Sequence, residues 1–317
     1  MSSSIKTVLI TGATAGIGRM TALHLAKLGH HVIASGRKVV ELAKLKEEAG
    51  SLSLDTLVMD VTSATSIALA VETVSTLTGG KGVDVLVNNA GFGALGPTSE
   101  IDDAEMRRQY DTNVFGLMAV TRAFLPKMRE RRRGRIINVS SVGGRITLPF
   151  FGVYNSTKYA VESLSDALRY ELRPFGIDVS LIEPGVIRTN FEATAVGNLA
   201  QFDSTPYAQA VAKYEQMSKS ADRFASNPIV IAKAIARAVQ ARRPAARYVA
   251  PRTTHMILWM SAILPTRVWD WAMRKVAFLD AKTLGLDGSA SAAKSAQPFP
   301  VTQIHGSPKS AARPSAN

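Results

Sequence analysis

The junction between the first apolar run and a glycine-rich turn constrains the fold of this chain more than any other feature. Residues 7–10 (TVLI) are typical of a buried strand, and residues 11–18 (TGATAGIG) follow without a break. A helical pattern over residues 17–28 ends at Gly29, and a second apolar run covers residues 31–35. Strand, glycine turn, helix and strand in this order predict a βαβ unit.

The alternation of strands and helices continues well beyond this unit. Further strands are predicted over residues 57–59, 83–88, 135–140 and 178–183, and helices over residues 64–77, 103–131 and 154–172. Short apolar strands between amphipathic helices indicate a parallel sheet that is covered on both faces. We therefore predict an α/β fold with a Rossmann-type, doubly wound parallel sheet in a single domain over residues 1–250.

The pattern changes after Pro184 and Gly185. Residues 190–226 mix polar and aromatic side chains and predict a helical excursion, followed by a helix over residues 228–240 and a last strand over residues 247–249. Residues 251–287 predict an amphipathic, aromatic helical extension. Residues 288–317 are rich in Ser, Ala, Pro and Lys, a composition typical of a disordered tail.

Two features of composition bound the chemistry and the location of the chain. None of its 317 residues is cysteine, which excludes disulfides, thiolate metal sites and a cysteine nucleophile, and we predict no metal site. The first residues, MSSSIKTVLITG, have a single Lys and only a short apolar run, so they do not resemble a secretory signal. We expect a cytoplasmic protein.

The net charge of +13 is unevenly distributed along the chain. Residues 1–126 carry −1, whereas residues 127–135 alone carry +5 and residues 227–317 carry +10. Such basicity is typical of proteins that bind nucleic acid, an anionic membrane surface or an anionic ligand, and it also serves solubility. The run 127–135 lies between a predicted helix and a strand and lacks interleaved aromatic residues, so we predict no nucleic-acid partner.

The glycine turn predicts a site for a dinucleotide. Glycines between a first strand and a first helix let the backbone approach a pyrophosphate, which rests on amide groups at the helix N-terminus. We predict cofactor contacts from Gly12, Thr14, Gly16, Ile17 and Gly18. A tight turn without a ligand is the alternative, but the position directly after an N-terminal strand favours dinucleotide binding.

The end of the second predicted strand indicates which dinucleotide is bound. NAD-binding units usually place Asp or Glu there to hold the ribose 2′-hydroxyl, whereas Arg accommodates a 2′-phosphate. Here the sequence ASGRK offers no carboxylate, and Arg37 is the candidate partner of the phosphate. A solvated loop charge is the alternative interpretation of Arg37. The absent acid and the present Arg together predict NADP(H).

Four further motifs follow the glycine turn in a fixed order. They are NNAG at residues 88–91, Asn113, Ser141 followed by YNSTK at residues 154–158, and PGVIRT at residues 184–189. Together these motifs resemble the short-chain dehydrogenase/reductase family, in its branch with TGxxxGxG and YxxxK, over about residues 5–250. The run from Ser141 to Phe150 is most similar to hydroxysteroid and retinol dehydrogenases.

The residues also suggest catalytic chemistry directly. Carbonyl reduction needs a proton at the developing alkoxide, and Tyr154, with a reference pKa of about 10, is the candidate donor and base. Lys158 lies one helical turn later, so its charge is expected to lower the pKa of Tyr154, and Ser141 is expected to orient the substrate oxygen. The resemblance implies that Lys158 also holds the nicotinamide ribose and that Asn113 anchors a water of the proton relay.

The resemblance implies the remaining cofactor contacts. Their positions are Asp60 and Val61 at the adenine, Asn89, Ala90 and Gly91 on the ribose side, Pro184 and Gly185 beside the nicotinamide, Ile187 at its ring, Thr189 at its carboxamide, and the catalytic Tyr154 and Lys158. Asn88 is expected to brace the sheet instead. For Asp60, a helix cap for the following segment is the alternative.

These inferences predict an NADP(H)-dependent oxidoreductase that interconverts an alcohol and its carbonyl compound. Apolar side chains expected near the substrate suggest a lipophilic molecule such as a steroid, a retinoid or an acyl-derived ketone; they are Phe92, Val142, Leu148, Phe150, Phe191 and those of residues 190–226. The same aromatics fit an ordinary core equally well. An NADP(H)-binding regulatory or sensor protein is the alternative function, against which the intact Ser141, Tyr154 and Lys158 argue.

The C-terminal segment 255–284 leaves three interpretations open. Its uncharged run MILWMSAIL covers nine residues, whereas a spanning helix needs about 20. The Trp and basic residues that follow fit a membrane interface with anionic lipid. They fit a cover over the substrate pocket or a contact with a second subunit as well, and the resemblance implies a homo-oligomer.

Overall fold

A seven-stranded sheet forms the centre of the molecule, and every neighbouring pair of strands runs parallel. The computed structural model describes residues 4–189, 199–221 and 225–287. The strands are β1 Thr7–Ile10, β2 His31–Gly36, β3 Leu54–Val58, β4 Val85–Asn88, β5 Gly134–Val139, β6 Ile177–Pro184 and β7 Arg247–Ala250. Their order across the sheet, β3-β2-β1-β4-β5-β6-β7, confirms the predicted doubly wound Rossmann-type fold.

Helices cover both faces of this sheet. They are α1 Gly16–Lys27, α2 Val39–Ala49, α3 Ala64–Leu77, α4 Asp103–Tyr110, α5 Leu117–Glu130, α6 Gly152–Leu172, α7 Ala208–Ala221, α8 Ile229–Gln240, α9 Thr254–Ile263 and α10 Thr266–Val276. Helix α2 has no counterpart among the predicted elements. It buries Leu42, Leu45 and Ala49 at helical spacing, but Lys and Glu dominate its remaining positions and obscure this pattern.

The alternation of side chains along β1 divides the core between the two faces. Val8 and Ile10 pack on one face with Leu25 of α1, whereas Leu9 packs on the other with Phe124 of α5. Both faces are therefore dry at the centre of the sheet. The carboxyl ends of the parallel strands lie at one edge of this core, and α/β folds bind their ligands at this edge.

The single helix predicted over residues 103–131 is interrupted in the structure. A six-residue π-helical segment, Asp111–Gly116, separates α4 from α5 and contains the buried Asn113. Wide turns of this kind insert one extra residue into an α-helix, so hydrophobic periodicity does not reveal them. They occur frequently at functional sites.

The C-terminal extension consists of two short helices that leave most of their side chains exposed. Helix α9 buries only Thr254, and α10 buries no side chain. Ala277 and Phe278, which follow α10, instead pack into an apolar cluster with Leu95 and Phe150. No helix within residues 4–189, 199–221 and 225–287 is long and apolar enough to cross a membrane.

Parts of two predictions fall outside the described residues. The described part of the excursion at 190–226 contains a short 3₁₀ turn at Leu199–Phe202 and helix α7, and it ends in a β-bridge at Ser226. Phe191 and the predicted tail 288–317 lie outside the described residues.

The basic run 127–135 is used within the fold. Arg131 donates hydrogen bonds to the carbonyl oxygens of Lys81, at 2.7 Å, and of Val83. Arg135 is buried, donates to the Val239 carbonyl at 2.8 Å and pairs with Asp178 at 3.2 Å. These two cations therefore stabilise loops and strand ends at one edge of the molecule.

Candidate active site

The glycine turn after β1 is built so tightly that only glycine fits at two of its positions. Gly12 has a φ of +64°, and a Cβ atom there would lie 2.8 Å from the Cα atom of Ala90. A Cβ at Gly18 would overlap the carbonyl oxygen of Gly12 and lie 2.5 Å from Nδ2 of Asn89. The close approach of α1 to this turn therefore depends on the missing side chains.

The N-terminus of α1 has the properties of an anion site. Its cap residue is Ala15, which offers no side-chain acceptor, and its first turn contains no acidic residue. The first amide groups of the helix are thus available to a ligand and combine with the positive end of the helix dipole. The turn and the helix together fit the pyrophosphate of a dinucleotide.

Thr11 and Asn89 lock this turn to the loop after β4. Thr11 Oγ1 accepts hydrogen bonds from the amides of Asn89 and Ala90 at 3.0 and 2.9 Å. The Asn89 side-chain amide donates in return to the carbonyls of Thr11 and Gly12 at 2.9 and 3.0 Å. Thr11 is absent from the predicted site. Its position between a buried strand and the first glycine is the signal that could have identified it.

The carboxyl ends of β2 and β3 bring Arg37 and Asp60 together. Arg37 is exposed, and Gly36 before it lies so close to Thr14 that a Cβ there would meet Thr14 Cγ2 at 2.5 Å. Burial acts to raise the pKa of Asp60, but hydrogen bonds from Thr62 and the charge of Arg37 outweigh it, so the pKa is lowered. Asp60 is therefore an anion beside the cation predicted to hold a 2′-phosphate.

Asp60 does not cap the helix that follows it. Its carboxylate accepts hydrogen bonds from the amide and the hydroxyl of Thr62 at 2.9 and 2.8 Å. Ser63 is the N-cap of α3 and accepts from the Ser66 amide at 3.2 Å. The capping alternative for Asp60 was wrong, and its assignment to the adenine stays a prediction.

Tyr154 and Lys158 lie one turn apart on α6, and both are buried. The Tyr154 side chain is 8% exposed and that of Lys158 is 6% exposed. Lys158 Nζ donates to the carbonyl of Val139, the last residue of β5, at 2.9 Å and lies 5.7 Å from the centroid of the Tyr154 ring. The strand end therefore fixes the lysine, and the lysine lies beside the tyrosine.

The balance of charges at this pair differs from the sequence-based expectation. Burial raises the pKa of Tyr154 to about 12, and the hydrogen bond with Ser141 only partly opposes this shift. Burial also lowers the pKa of Lys158 to about 8, against the charge of Glu162, which raises it. The predicted lowering of the tyrosine pKa was wrong in sign, because desolvation of the buried hydroxyl outweighs the hydrogen bond with Ser141.

Ser141 lies at the start of the loop that follows β5. Its Oγ accepts a hydrogen bond from the Gly143 amide at 3.0 Å, which caps the short 3₁₀ turn Val142–Gly144. The hydrogen bond between the Ser141 and Tyr154 side chains joins this loop to α6. The predicted serine and tyrosine are therefore brought together at one end of the sheet.

Asn113 is held by the loop after β4. Its Nδ2 donates to the Phe92 carbonyl at 2.8 Å and to Thr157 Oγ1 at 3.1 Å, and its Oδ1 accepts from the Phe92 amide at 3.0 Å. Asn113 thus fixes the loop that begins at Gly91, against which Lys158 also lies. Its role in anchoring a relay water stays a prediction.

A second asparagine on β4 braces the sheet, as predicted. The Asn88 side chain donates to Thr121 Oγ1 and to the Oδ1 of Asn138, both at 2.9 Å. Asn138 donates in turn to Ser165 Oγ at 2.8 Å. This buried polar chain ties β4 and β5 to α5 and α6.

An ionic cluster that the sequence did not reveal lies next to Lys158, the predicted catalytic lysine. Glu162 follows Lys158 by one turn and pairs with Arg247 of β7 at 3.2 Å. Arg247 also lies 3.1 Å from Glu183, whose side chain is 0% exposed, and 2.7 Å from Asp166. The position of Glu162 four residues after Lys158 is the only sequence signal of this cluster.

Arg145, four residues after Ser141, completes the ionic cluster, and Gly144 packs against it. Arg145 pairs with Glu183 at 3.3 Å, and a Cβ atom at Gly144 would lie 3.0 Å from Cγ of Glu162. Burial raises the pKa of Glu162; a hydrogen bond with Ser140 opposes this, and the Glu183 carboxylate adds to it. The loop that holds Ser141 is therefore anchored to the carboxylates behind Lys158.

The chain after β6 meets the glycine turn from the opposite side. Pro184 ends the strand, and the Gly185 amide donates to the Ala250 carbonyl at 2.9 Å, while Gly185 packs against Thr254. Ile187 is buried and pairs with Ser226 in an isolated bridge. A Cβ at Gly16 would lie 3.4 Å from the side chain of Thr189. The two cofactor motifs thus face each other.

An aromatic chain leads from Tyr154 into an apolar cluster. The ring of Phe151 lies 6.3 Å from the rings of both Tyr154 and Tyr214, and Tyr214 lies 5.3 Å from Phe150. Further apolar side chains surround these rings; they are Leu95, Leu199, Phe202, Tyr207, Ala210, Val211, Ala277, Phe278, Leu279 and Leu284. Tyr154, the predicted catalytic tyrosine, therefore borders a largely apolar region.

The predicted substrate-facing residues are divided between this cluster and its rim. Phe150 is buried in the cluster with a φ of +65°, a strained conformation for a bulky residue. Val142 and Leu148 are half-buried on the loop after β5. The Arg108 guanidinium lies 4.3 Å from the centroid of the Phe92 ring. Phe150 is thus partly core, as the alternative interpretation held.

Comparison with known proteins shows which family this chain is similar to. A family model described as short chain dehydrogenase matches residues 6–199. The chain is 35% identical over 270 residues to the 3-ketodihydrosphingosine reductase of Bacteroides thetaiotaomicron, covering 84% of this chain and 96% of that protein. It is 33% identical over 280 residues to the NADPH-dependent 3-dehydrocapnine reductase of Ornithobacterium rhinotracheale, covering 87% and 97%.

A human relative and a solved structure extend the comparison. The chain is 38% identical over 253 residues to human 17-beta-hydroxysteroid dehydrogenase type 1, covering 76% of each protein. The crystal structure of a short-chain dehydrogenase from Streptomyces avermitilis superposes with a TM-score of 0.67 and 29% identity, over 90% of this chain and 100% of that chain.

Proposed function

The chain belongs to the short-chain dehydrogenase family, and we propose that it is an NADP(H)-dependent oxidoreductase that interconverts a lipophilic alcohol and its carbonyl compound. The observation that carries this proposal is the buried Tyr154–Lys158 pair, which lies between a dinucleotide-type glycine turn and an apolar cluster. Oxidoreductase activity follows from the family. The cofactor preference and the class of substrate are the proposed parts.

The catalytic residues would handle the proton of the reaction. When bound, the nicotinamide cofactor supplies or accepts the hydride. Because burial keeps the pKa of Tyr154 at about 12, its hydroxyl retains the proton at neutral pH and can donate it to a carbonyl oxygen. Ser141, which is hydrogen-bonded to Tyr154, orients that oxygen, and the positive charge of Lys158 favours the tyrosinate that remains.

One feature of this chain and the description of one relative support NADP(H) over NAD(H). The end of β2 carries exposed Arg37 and no carboxylate, and the relative from Ornithobacterium rhinotracheale is described as NADPH-dependent. An arginine binds a phosphate group through charged hydrogen bonds, whereas an acid at this position would repel it. Arg37 would therefore hold the 2′-phosphate.

A lipophilic substrate is supported by the surroundings of Tyr154 and by the relatives. The rings of Phe151 and Tyr214 connect Tyr154 to the apolar cluster, which the residues after α10 complete. The relatives are described as a ketodihydrosphingosine reductase and a hydroxysteroid dehydrogenase, both named for lipophilic molecules. We therefore propose ketones with long aliphatic or polycyclic bodies as substrates.

Oxidation of NADPH in the presence of long-chain 3-ketones and steroid ketones tests the reaction. Tyr154→Phe removes the proton donor, and we expect the rate to fall by roughly 10²–10⁴-fold. The control is the affinity for NADPH, measured by fluorescence, which should remain within a few-fold. If the wild-type chain binds NADPH tightly but reduces none of these ketones, the proposed activity is contradicted and the regulatory alternative is supported.

Substitution of Arg37 tests the cofactor preference. Arg37→Asp removes the phosphate partner, and we expect the ratio of kcat/KM for NADPH over NADH to fall at least about 10-fold, since a hydrogen bond to a charged group contributes about 1.5–3 kcal/mol. Lys38→Asp is the matched control, because it makes the same change of charge at the next residue. An equal change in both variants would contradict a specific contact.

The surface of the C-terminal helices supports an association with an anionic membrane. Met256, Trp259 and Ile263 are 66%, 63% and 53% exposed, and their spacing places them on one face of α9. Exposed Trp271 on α10 is accompanied by the cations Arg267 and Arg274. Exposed Trp with basic residues suits the interface of a bilayer, where a lipophilic substrate would also be found.

Self-association is the remaining proposed property. Phe115, in the π segment, is 60% exposed, and Tyr159 on the neighbouring α6 is exposed as well. Large apolar side chains exposed together often mark a protein interface. We expect a homo-oligomer in light scattering of the purified chain, and the mass of a monomer would contradict this.

A further inference from the structure

An open cavity of about 610 Å³ lies between α8, β7 and α9, and Arg145 and Arg247 of the ionic cluster form part of its lining. Four arginines line it, together with apolar side chains of α9. The lining arginines are Arg145, Arg237, Arg247 and Arg252, and the apolar wall is formed by Leu258, Trp259 and Ala262. We call this cavity the arginine pocket. It has no part in the proton chemistry described above.

The arginines of this pocket differ in how their charge is neutralised. Arg145 and Arg247 pair with Glu183, and Arg247 also pairs with Glu162 and Asp166. Neither Arg237 nor Arg252 has a carboxylate within 4.0 Å among the described residues. Two arginines of the pocket lining thus have no carboxylate partner in the described part of the chain. Such a lining attracts a counter-anion, and phosphate matches the geometry of arginine well.

The apolar wall of the pocket indicates what the anion is attached to. Trp259 lines the pocket and is 63% exposed, so the apolar wall of the pocket is accessible from the surface of α9. Met256 and Ile263 continue this apolar surface along the same face of the helix. An occupant with a phosphate at one end and an apolar body at the other would satisfy both parts. An anionic phospholipid in a bilayer has this construction.

We propose that the arginine pocket binds the phosphate group of an anionic phospholipid and that Arg237 and Arg252 are its ligands. This inference rests on the proposed membrane association, which it extends from a surface to a defined headgroup site. Arg145 and Arg247 line the pocket as well, but their charges are neutralised by the carboxylates with which they pair. Trp259 and the exposed face of α9 lie at the level of the upper acyl chains.

Flotation of the full-length protein with vesicles tests the pocket. The vesicles are made of phosphatidylcholine alone or of phosphatidylcholine with phosphatidic acid. We expect binding to the anionic vesicles, and in the double variant R237Q/R252Q we expect the partition coefficient to fall about 30-fold, since each basic residue near a membrane surface contributes about 1 kcal/mol. The matched control is R242Q/R243Q, which removes two exposed arginines that do not line the pocket.

The outcomes distinguish lipid binding in the pocket from nonspecific electrostatic attraction and from binding of free phosphate. Equal losses in the two double variants, or no loss in R237Q/R252Q, would overturn the proposal. Binding of inorganic phosphate to the wild type, detected by tryptophan fluorescence, without binding to anionic vesicles would assign the site to a soluble phosphate and overturn the lipid assignment. The single variants R237Q and R252Q, with about 5-fold losses each, keep the test valid if the double variant does not fold.

One further variant separates this inference from the proposed reaction. Tyr154→Phe should bind anionic vesicles as the wild type does, because Tyr154 is not among the residues that line the pocket. If turnover is absent in the wild type but R237Q/R252Q alone loses vesicle binding, the pocket is supported while the proposed activity fails. If the ketones are reduced but the two double variants bind vesicles alike, the reverse holds.

Discussion

The catalytic end of the sheet and the C-terminal helices use the same types of residue in opposite ways. Around Tyr154 and Lys158 the charges are buried, and each is held by a neighbour such as Val139 or Glu162. On α9 and α10, Trp, Met and Arg side chains point outward, and almost nothing is buried. The charges of the first region have partners within the chain, whereas the apolar side chains of the second remain exposed within residues 4–189, 199–221 and 225–287.

Stability and binding to other surfaces therefore depend on different parts of the molecule. Burial of apolar area drives folding, so a region that buries its side chains contributes to the free energy of unfolding. A helix that exposes its apolar face contributes little and remains free to contact another surface. The two regions meet where residues after α10 enter the apolar cluster, which connects an exposed surface to the vicinity of the catalytic tyrosine.

The largest expected effect on stability lies at the centre of the sheet. Leu9 is fully buried on β1 between α5 and its neighbouring strands. Leu9→Ala creates a cavity there, and we expect the free energy of unfolding to fall by roughly 2–5 kcal/mol. Chemical denaturation measures this loss. A loss below about 1 kcal/mol would mean that the core can collapse around the site, which would weaken the contrast between the regions.

An intermediate effect is expected at the ionic cluster, and it concerns pH. The Glu162 carboxylate raises the pKa of Lys158, which burial lowers to about 8. Glu162→Gln removes this charge, so Lys158 should lose its proton at a lower pH. Because protonated Lys158 favours the tyrosinate, we expect the alkaline limb of kcat/KM against pH to move to lower pH.

A matched variant isolates this effect from the loss of a hydrogen bond to Arg247. Asp166→Asn also removes a carboxylate that pairs with Arg247, at 2.7 Å, but Asp166 is two turns beyond Lys158 on α6. We expect its pH profile to follow that of the wild type. An unchanged profile in Glu162→Gln would contradict an effect of this carboxylate on the pKa of Lys158. An equal shift in both variants would show that the carboxylates act through the fold and not on the lysine.

The smallest effect on stability is expected on α10. Trp271 is more than half exposed, and α10 buries no side chain. Trp271→Ala should change the free energy of unfolding by no more than about 0.5 kcal/mol, as for other surface substitutions. Thermal and chemical denaturation in solution measure this. A loss comparable to that of Leu9→Ala would show that α10 packs in solution against a partner, such as a second copy of the chain.

Local patterns were sufficient to predict much of the framework. The bounds of β1 and α3 agree with the predicted ranges, because short apolar runs and regular helical spacing report burial directly. The catalytic candidates Ser141, Tyr154 and Lys158 come together as their spacing suggested. These features depend on neighbours in sequence or on motifs of fixed order, and both are visible in a single chain.

The features that were missed depend on contacts between distant residues. The upward shift of the Tyr154 pKa follows from how deeply α6 packs against the sheet, which no local pattern measures. The cluster of Glu162, Glu183 and Arg247 joins a helix to two strands that are far apart in sequence. The positive φ of Phe150 likewise reflects the loop packed around it.

The π-helical segment Asp111–Gly116 sets a strict limit on insertions and deletions in this part of the chain. Each residue of a helix turns the chain by about 100°, so the deletion of one residue would rotate α4 against α5 by that angle. Asn113 could then no longer reach both Phe92 and Thr157. Substitutions at the exposed positions of this segment should be tolerated, but a change in its length should not be. The number of residues in this segment is therefore constrained as strictly as the identity of the predicted catalytic residues.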